Sequence, residues 1–333
     1  MVRSGAKRPA EFEAVPHQRV ATRIYRSPAV LIKYIKRRQK LSKIVRALSA
    51  DGSVLCSAID STDIVNEIFR LHKTTPVATA ALGRLATAGS IMGAMLKSED
   101  DRLTLRMNGN GPAGNIVVAA DYMGNVKCYA DNVNVDLPLK PNGKLDVSGY
   151  VGTDGFLGVI KDLGLKEPYA TQVPIISGEI AEDITSYYAI SEQIPTVCAL
   201  GVLVDRDWTV KHAGGYLIQL VPPINEKAID FIENNIKSMQ SVTELMEQGK
   251  TPEEIALMGL EGLNGEVLDE WECQYYCNCS RERTEQVLIS LGRDELEKLA
   301  EEDQETEVCC HFCDKKYKFT AYELKKLLTE AER

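Results

Sequence analysis

The stretch Arg102-Leu-Thr-Leu-Arg-Met-Asn-Gly-Asn-Gly-Pro-Ala-Gly-Asn-Ile-Val-Val-Ala-Ala120 decides the fold class, because two incompatible folds compete for it. Its centre, Gly109-Asn-Gly111-Pro-Ala-Gly114, matches the dinucleotide-binding glycine pattern letter for letter. That fingerprint requires a strand before the glycines and a helix after them. Leu103, Leu105 and Met107 alternate with polar residues and supply the strand. Residues 115–120, Asn-Ile-Val-Val-Ala-Ala, are strand-like again, and Pro112 sits between. The glycines therefore read as a hairpin loop, and no nucleotide is expected there. Nor is Gly249-Lys250-Thr251 a phosphate loop, since position 244, where that motif needs glycine, is Glu.

Strand patterns continue outward at residues 126–130, 156–160, 172–176, 197–204 and 216–221, with one helix at about 180–190. Upstream, Ile44, Val45, Ala47 and Leu48 lead through the turn pair Asp51-Gly52 into Val54-Leu55-Cys56, a hairpin. Thr62 then caps a helical run containing Ile64, Val65, Ile68, Phe69 and Leu71. Pro76 opens a long helix of small residues; Arg84 and its Ala, Gly and Thr content argue for a packed interior helix rather than a membrane span. Consecutive strands joined by short turns favour an antiparallel sheet with packed helices, an α+β core domain over residues 43–222.

Charge divides the chain. Thirteen of the 39 basic residues but only two of the 48 acidic ones precede position 47, so the head carries +11 and the remainder −20. Residues 1–42 read as a basic extension, flexible or not native. A body that acidic is a poor partner for nucleic acid or an anionic membrane. No secretory signal is evident, so the cytoplasm is expected, where thiols stay reduced. Six of the nine cysteines follow residue 270, which points to metal or redox chemistry.

After Pro222-Pro223 the apolar positions thin to Ile229, Phe231, Ile232, Ile236, Met239, Met246 and Met258, and residues 223–268 read as a metastable helical linker. Residues 269–333 read as a small C-terminal zinc domain. Its ligands are Cys277-Asn-Cys279 and Cys310-His-Phe-Cys313, since soft thiolates in two close pairs suit one tetrahedral zinc ion. Cys309 abuts Cys310 and is a rival ligand, and Cys273 precedes the first pair. Helices starting at Ser280 and Asp294 separate the pairs, and Thr320-Ala-Tyr-Glu323 is a capping box for a last helix. Spacing alone leaves two roles open. A disulfide within Cys-x-Cys closes a strained, labile ring suited to reversible oxidation, whereas a ribbon that stays closed would only scaffold. An RNA-binding ribbon and a thiol–disulfide enzyme are the rivals from other classes. Residues 266–333 carry ten basic against eighteen acidic residues, which disfavours the former. The Cys-x-x-Cys does not open a helix after a strand, which disfavours the latter, so no enzyme is expected.

Cys-Asn-Cys-Ser-Arg-Glu-Arg (277–283) and Val-Cys-Cys-His-Phe-Cys-Asp-Lys-Lys-Tyr-Lys-Phe (308–319) resemble the redox-regulated thirty-three-kilodalton heat-shock holdase chaperones of bacteria. The same family is suggested by Ala-Leu-Ser-Ala-Asp-Gly (47–52), Ala-Ala-Leu-Gly-Arg (80–84), Gly-Asn-Gly-Pro-Ala-Gly (109–114) and Val-Gly-Thr-Asp-Gly (151–155). Ile160–Leu165, Ser-Glu-Gln (191–193) and Ala-Gly-Gly-Tyr (213–216) extend the likeness, which runs from about Lys43 to the C-terminus. Cys309 departs from the pattern. The resemblance implies an ATP-independent holdase, inactive while Cys277, Cys279, Cys310 and Cys313 hold one zinc ion. Oxidation with mild unfolding stress would form Cys277–Cys279 and Cys310–Cys313 disulfides, release zinc, unfold the switch and loosen the linker. Unfolding client proteins would then bind exposed apolar surface, and the active form would be a homodimer. Ile229, Phe231, Ile232, Met239, Met246 and Met258 are candidate client contacts; a plain packing face is the other use for them.

Overall fold

The computed structural model describes residues 41–222, 225–301 and 305–330. The basic extension expected over residues 1–42 lies outside them apart from Leu41 and Ser42. The chain forms two compact units, one ending at Tyr276 and the other beginning at Cys277.

Strands β1 (Ser42–Leu48) and β2 (Val54–Asp60) form the expected hairpin. Asp51 holds its turn by accepting from the Ser53 backbone N–H at 3.0 Å and from the Ser49 and Ser53 hydroxyls at 2.7 Å each. Helix α1 (Thr62–His72) starts at Thr62, but Asp60 supplies the capping oxygen, accepting from the Thr62 N–H at 3.0 Å. The Thr62 hydroxyl instead donates to the Ala213 carbonyl.

Helix α2 (Pro76–Gly93) is buried along almost its whole length and packs against strands of both large sheets. Its small residues make that possible. A methyl group on Gly89 would lie 2.7 Å from Val118 Cγ1, and one on Gly93 would lie 2.6 Å from the Asp121 carbonyl oxygen.

Five antiparallel strands make one sheet on one side of this helix: β3 (Arg102–Asn108), β4 (Ile116–Asp121), β5 (Val126–Ala130), β6 (Phe156–Asp162) and β7 (Tyr169–Pro174), in the order β5-β4-β3-β6-β7. The glycine-rich segment is the β3–β4 hairpin loop. Its glycines allow close backbone contact: Gly111 N–H donates to the Val151 carbonyl, Ala113 N–H to that of Tyr150, and a side chain on Gly109 would meet Gly152 O at 2.0 Å. Short helix α3 (Val147–Val151) lies between β5 and β6 in sequence, and α4 (Ala181–Tyr187) follows β7.

The other sheet has the order β10-β1-β2-β9-β8, with β8 (Thr196–Val204), β9 (Val210–Leu220) and β10 (Glu266–Cys273). Ile44, Ile59 and Leu217 join the α2 core from one face. Val54, Cys56, Ala58, Tyr216, Ile218 and Leu220 point to the other face. Helices α5 (Glu226–Ser238), α6 (Val242–Glu247) and α7 (Pro252–Gly259) cover that second face. Each has a side-chain N-cap: Asn225 for α5, and full capping boxes at Ser241/Glu244 and Thr251/Glu254.

Strand β10 was not legible in the sequence, and the expected boundary at 268–269 falls inside it. It pairs antiparallel with β1, where Arg46 donates to Asp269 from Nε at 2.8 Å and from a second guanidinium nitrogen. The same guanidinium lies 5.0 Å from the centre of the Trp271 ring. Residues 274–276 then strap across the β4–β5 turn. Val126 N–H donates to Gln274 O, Tyr276 N–H donates to Val126 O, and the Tyr275 hydroxyl bonds both the N–H and carbonyl of Cys128. This one segment therefore ties the edge strands of both sheets.

The C-terminal unit holds α8 (Arg281–Ser290), α9 (Arg293–Glu301), the hairpin β11 (Thr306–Cys309)/β12 (Lys316–Phe319) and α10 (Ala321–Glu330). Ser280 caps α8, and the Thr320/Glu323 box caps α10, as their spacing suggests. The core is small: Leu288, Leu296, Val308, Phe319 and Leu324 are its main buried side chains. Among the described residues, no helix is long and apolar enough to cross a membrane.

Alanine at position 93 has the better helix propensity by roughly 1 kcal/mol. Contact with the fixed Asp121 carbonyl should nevertheless make Gly93→Ala destabilising by about 1–3 kcal/mol, the usual cost of overpacking. Chemical denaturation checks the sign.

Candidate functional site

Four sulfurs meet in the C-terminal unit. Cys277 and Cys279 come from the segment before α8, and Cys310 and Cys313 from the tight turn joining β11 to β12. Cys313 N–H donates to the Cys310 carbonyl and Cys310 N–H to that of Lys315, which fixes the turn. All four Sγ atoms lie within 4.8 Å of one another. Cys277 approaches Cys310 at 3.7 Å and Cys279 approaches Cys313 at 3.4 Å. Zinc–sulfur bonds of about 2.3 Å in a tetrahedron put neighbouring sulfurs about 3.8 Å apart, so soft donors at this spacing can hold a metal ion. Cys309 and Cys273 are not in the group. Cys309 ends β11 opposite Lys316, and Cys273 ends β10, buried beside Ser90.

The cluster is held from several sides. Arg281, two residues after Cys279, donates to the Lys318 carbonyl at 2.9 Å, pairs with Glu323 at 2.6 Å and lies 4.3 Å from the Phe319 ring centre. The Tyr317 hydroxyl donates to Cys279 Sγ at 3.1 Å. Burial would raise the Cys279 thiol, but hydrogen bonds from Tyr317 and then Cys313 outweigh it and bring it below the ordinary thiol range. Burial pushes Cys310 up to about 11, and Cys313 is also raised. Elsewhere burial pushes Cys56, Cys198 and Cys273 up to about 12, which leaves them protonated and inert.

The candidate client contacts belong to the unit that ends at Tyr276, on the helices that cover the sheet. Ile232 and Met246 are buried in the interface with the sheet, and Ile229, Met239 and Met258 are partly buried against it. Phe231 is 44 % exposed. In the folded state five of the six therefore serve as a packing face.

Sequence reasoning missed Tyr317, the β10 edge contacts of Asp269 and Trp271 with Arg46, and the strap made by Tyr275. Tyr317 carries a usable signal, since it lies four residues after the last cysteine in a hairpin strand whose alternate residues, Tyr317 and Phe319, are buried. Strand β10 carries none, because Asp269 interrupts the apolar alternation and finds its partner 223 positions away.

Comparison with known proteins agrees over most of the chain. The Hsp33 protein family model matches residues 42–320. The 33 kDa chaperonin of Clostridium perfringens (strain SM101 / Type A) is 48 % identical over 292 residues, covering 87 % of this chain and 92 % of the relative. That of Clostridium beijerinckii is 47 % identical over 289 residues, covering 87 % and 99 %. The crystal structure of the 33 kDa chaperonin from Thermotoga maritima superposes with a TM-score of 0.79 at 37 % identity, covering 86 % of this chain and 98 % of that one. The chain thus belongs to the Hsp33 family of chaperones.

Proposed function

We propose that the protein is an ATP-independent holdase switched on by oxidation, with the four-thiolate unit as its sensor and the sheet face beneath α5–α7 as its concealed client surface. One observation carries this: an apolar sheet face is covered by three short helices of the same chain that leads, through β10, into the cysteine cluster. The covering helices have 13, 6 and 8 residues, lengths that are marginal in water without packing. Their stability therefore depends on being held in place.

Bound zinc would be held by Cys277, Cys279, Cys310 and Cys313, and would cross-link two segments of a unit with little core of its own. A peroxide-class oxidant takes two electrons from each cysteine pair, one S–S bond forms per pair, and the oxidant leaves as water. We assign the bonds to Cys277–Cys279 and Cys310–Cys313, as the resemblance implies. At rest the sulfurs of Cys277 and Cys310, and of Cys279 and Cys313, stand 3.7 and 3.4 Å apart, so an S–S bond of about 2 Å needs the sulfurs to move, and mild unfolding stress frees them to do so. Each disulfide removes two donors, so the site no longer holds its ion. Loss of the C-terminal unit leaves the 274–276 strap and β10 attached to an unfolded chain. The helices over the sheet then open, and Val54, Tyr216 and Ile218 join Ile229, Phe231, Ile232, Met239, Met246 and Met258 as client contacts. The domains divide the work: residues 43–222 as client-binding core, 223–268 as cover, and 269–333 as switch. A reducing cytoplasm keeps the switch closed at rest. The open form pairs into a homodimer through its newly exposed apolar surface, and the protein holds clients without catalysing a reaction.

Treatment with peroxide at mildly raised temperature should release one zinc ion per chain and turn on suppression of client aggregation. Equal holdase activity in both forms, or zinc kept after oxidation, would sink the switch. Separately, Ile255→Ala in α7 removes a fully buried side chain at a cost of about 2–4 kcal/mol. It should give measurable aggregation suppression in the reduced, zinc-loaded protein, where the wild type shows little.

A further inference from the structure

Strand β5 is the outer strand of its sheet, with β4 on its inner side. Alternate residues of an antiparallel strand turn both backbone groups to the same side. The Asn125 carbonyl accepts from the Asp121 N–H on the β4 side, so Val126 and Cys128 face outward. The strap caps both. Val126 N–H donates to Gln274 O at 3.0 Å and Val126 O accepts from Tyr276 N–H at 2.8 Å, the two bonds of a parallel bridge centred on Tyr275. At Cys128 the Tyr275 hydroxyl stands in for a neighbouring strand, accepting from the N–H at 3.2 Å and donating to the carbonyl at 3.1 Å. The Tyr275 ring packs, partly buried, against the α2 core. Gln274 N–H and Trp271 Nε1–H fasten the strap further, donating to Asn125 Oδ1 at 3.1 Å and to the Met123 carbonyl at 3.0 Å. Three residues of extended chain thus occupy a sheet edge as an added strand would.

We propose that the β5 edge is a strand-addition site for an extended client segment, and that the strap is its resting occupant. The inference rests on the release of the strap by oxidation proposed above. Once the strap leaves, the N–H and carbonyl groups of Val126 and Cys128 lose these partners, and an open edge is a template for another chain. The strap's own chemistry specifies the replacement. It is an extended stretch with an aromatic residue for the Tyr275 slot, held by backbone bonds that read no sequence. Unfolding proteins expose such stretches, whereas folded ones keep their backbone groups paired. A second copy's β5 fits less well, because two like strands related by a two-fold axis run antiparallel and the existing bridge is parallel. The edge belongs to the other sheet from the one beneath α5–α7. A client is therefore gripped by its side chains at one site and by its backbone at the other.

The test uses the full-length protein, reduced and zinc-loaded or oxidised, and a fluorescein-labelled peptide of residues 271–277 carrying Cys273→Ser and Cys277→Ser, read by fluorescence anisotropy. The oxidised form should bind the peptide on the order of tenfold more tightly than the reduced form, whose edge is occupied. Methylation of the peptide's backbone nitrogen at Tyr276 removes the donor to Val126 O and should weaken binding on the order of tenfold. Reduced, carboxymethylated α-lactalbumin, a permanently unfolded chain, should displace the peptide. Equal binding by the two protein forms, equal binding of the methylated and unmethylated peptides, or no displacement by the unfolded chain would each overturn the edge site. So would peptide affinity that falls as the oxidised protein is concentrated, which would show a second copy on the edge. Failure of the switch reads differently: zinc kept after oxidation, or equal aggregation suppression in both forms, would overturn both readings. Oxidation-activated holdase activity with no difference between the two peptides would overturn the edge site alone.

Discussion

The sheet β10-β1-β2-β9-β8 is apolar on both faces, and an antiparallel sheet in water must have each such face covered. One cover is permanent. Helix α2 is an 18-residue run of small residues, buried from end to end between two sheets, and nothing short of global unfolding removes it. The other cover is three short capped helices whose polar faces are exposed and whose apolar residues are sparse. The same sheet thus has one face sealed by the core and one face sealed by a thin layer of short helices, the layer that the proposed function makes conditional. Everything proposed for function depends on that inequality.

In the proposed function, chain order is what lets the cysteine cluster act on this layer. From α7 the chain enters β10, straps the β4–β5 turn with Gln274, Tyr275 and Tyr276, and reaches the first cluster sulfur at the next residue, Cys277. Arg46, Asp269 and Trp271 hold this segment with an ion pair and a ring contact at the sheet edge, where such pairs are individually weak. An edge strand of modest stability between a covering layer and a thiol cluster is a reasonable place for coupling. It needs no long-range pathway, only covalent continuity.

Much of this was readable in the sequence. Alternation at Leu103, Leu105 and Met107, the Asp51-Gly52 turn and Pro76 report local geometry, and the structure places a strand, a hairpin and a helix start there. The glycine loop is identified by the strand at residues 115–120, which takes the place of the helix that phosphate binding needs. The cysteine spacing, read with the capping signals at Ser280 and Thr320, located the candidate site. What escaped depends on distant partners. The residues of β10 look polar until Asp269 is set beside Arg46, and residues 223–268 look like a loose linker until the apolar face of β2 and β9 is known. Sparse apolar positions signal a marginal helix, but they do not show what the helix conceals.

Amide hydrogen exchange of the reduced, zinc-loaded and the oxidised protein tests the conditional cover most directly. Residues 226–276 should lose protection on oxidation, while α2 and the paired strands β2 and β9 keep theirs. Protection of α5–α7 that is equal in the two forms, in a sample whose oxidised form suppresses client aggregation, would contradict the conditional cover and require clients to bind elsewhere.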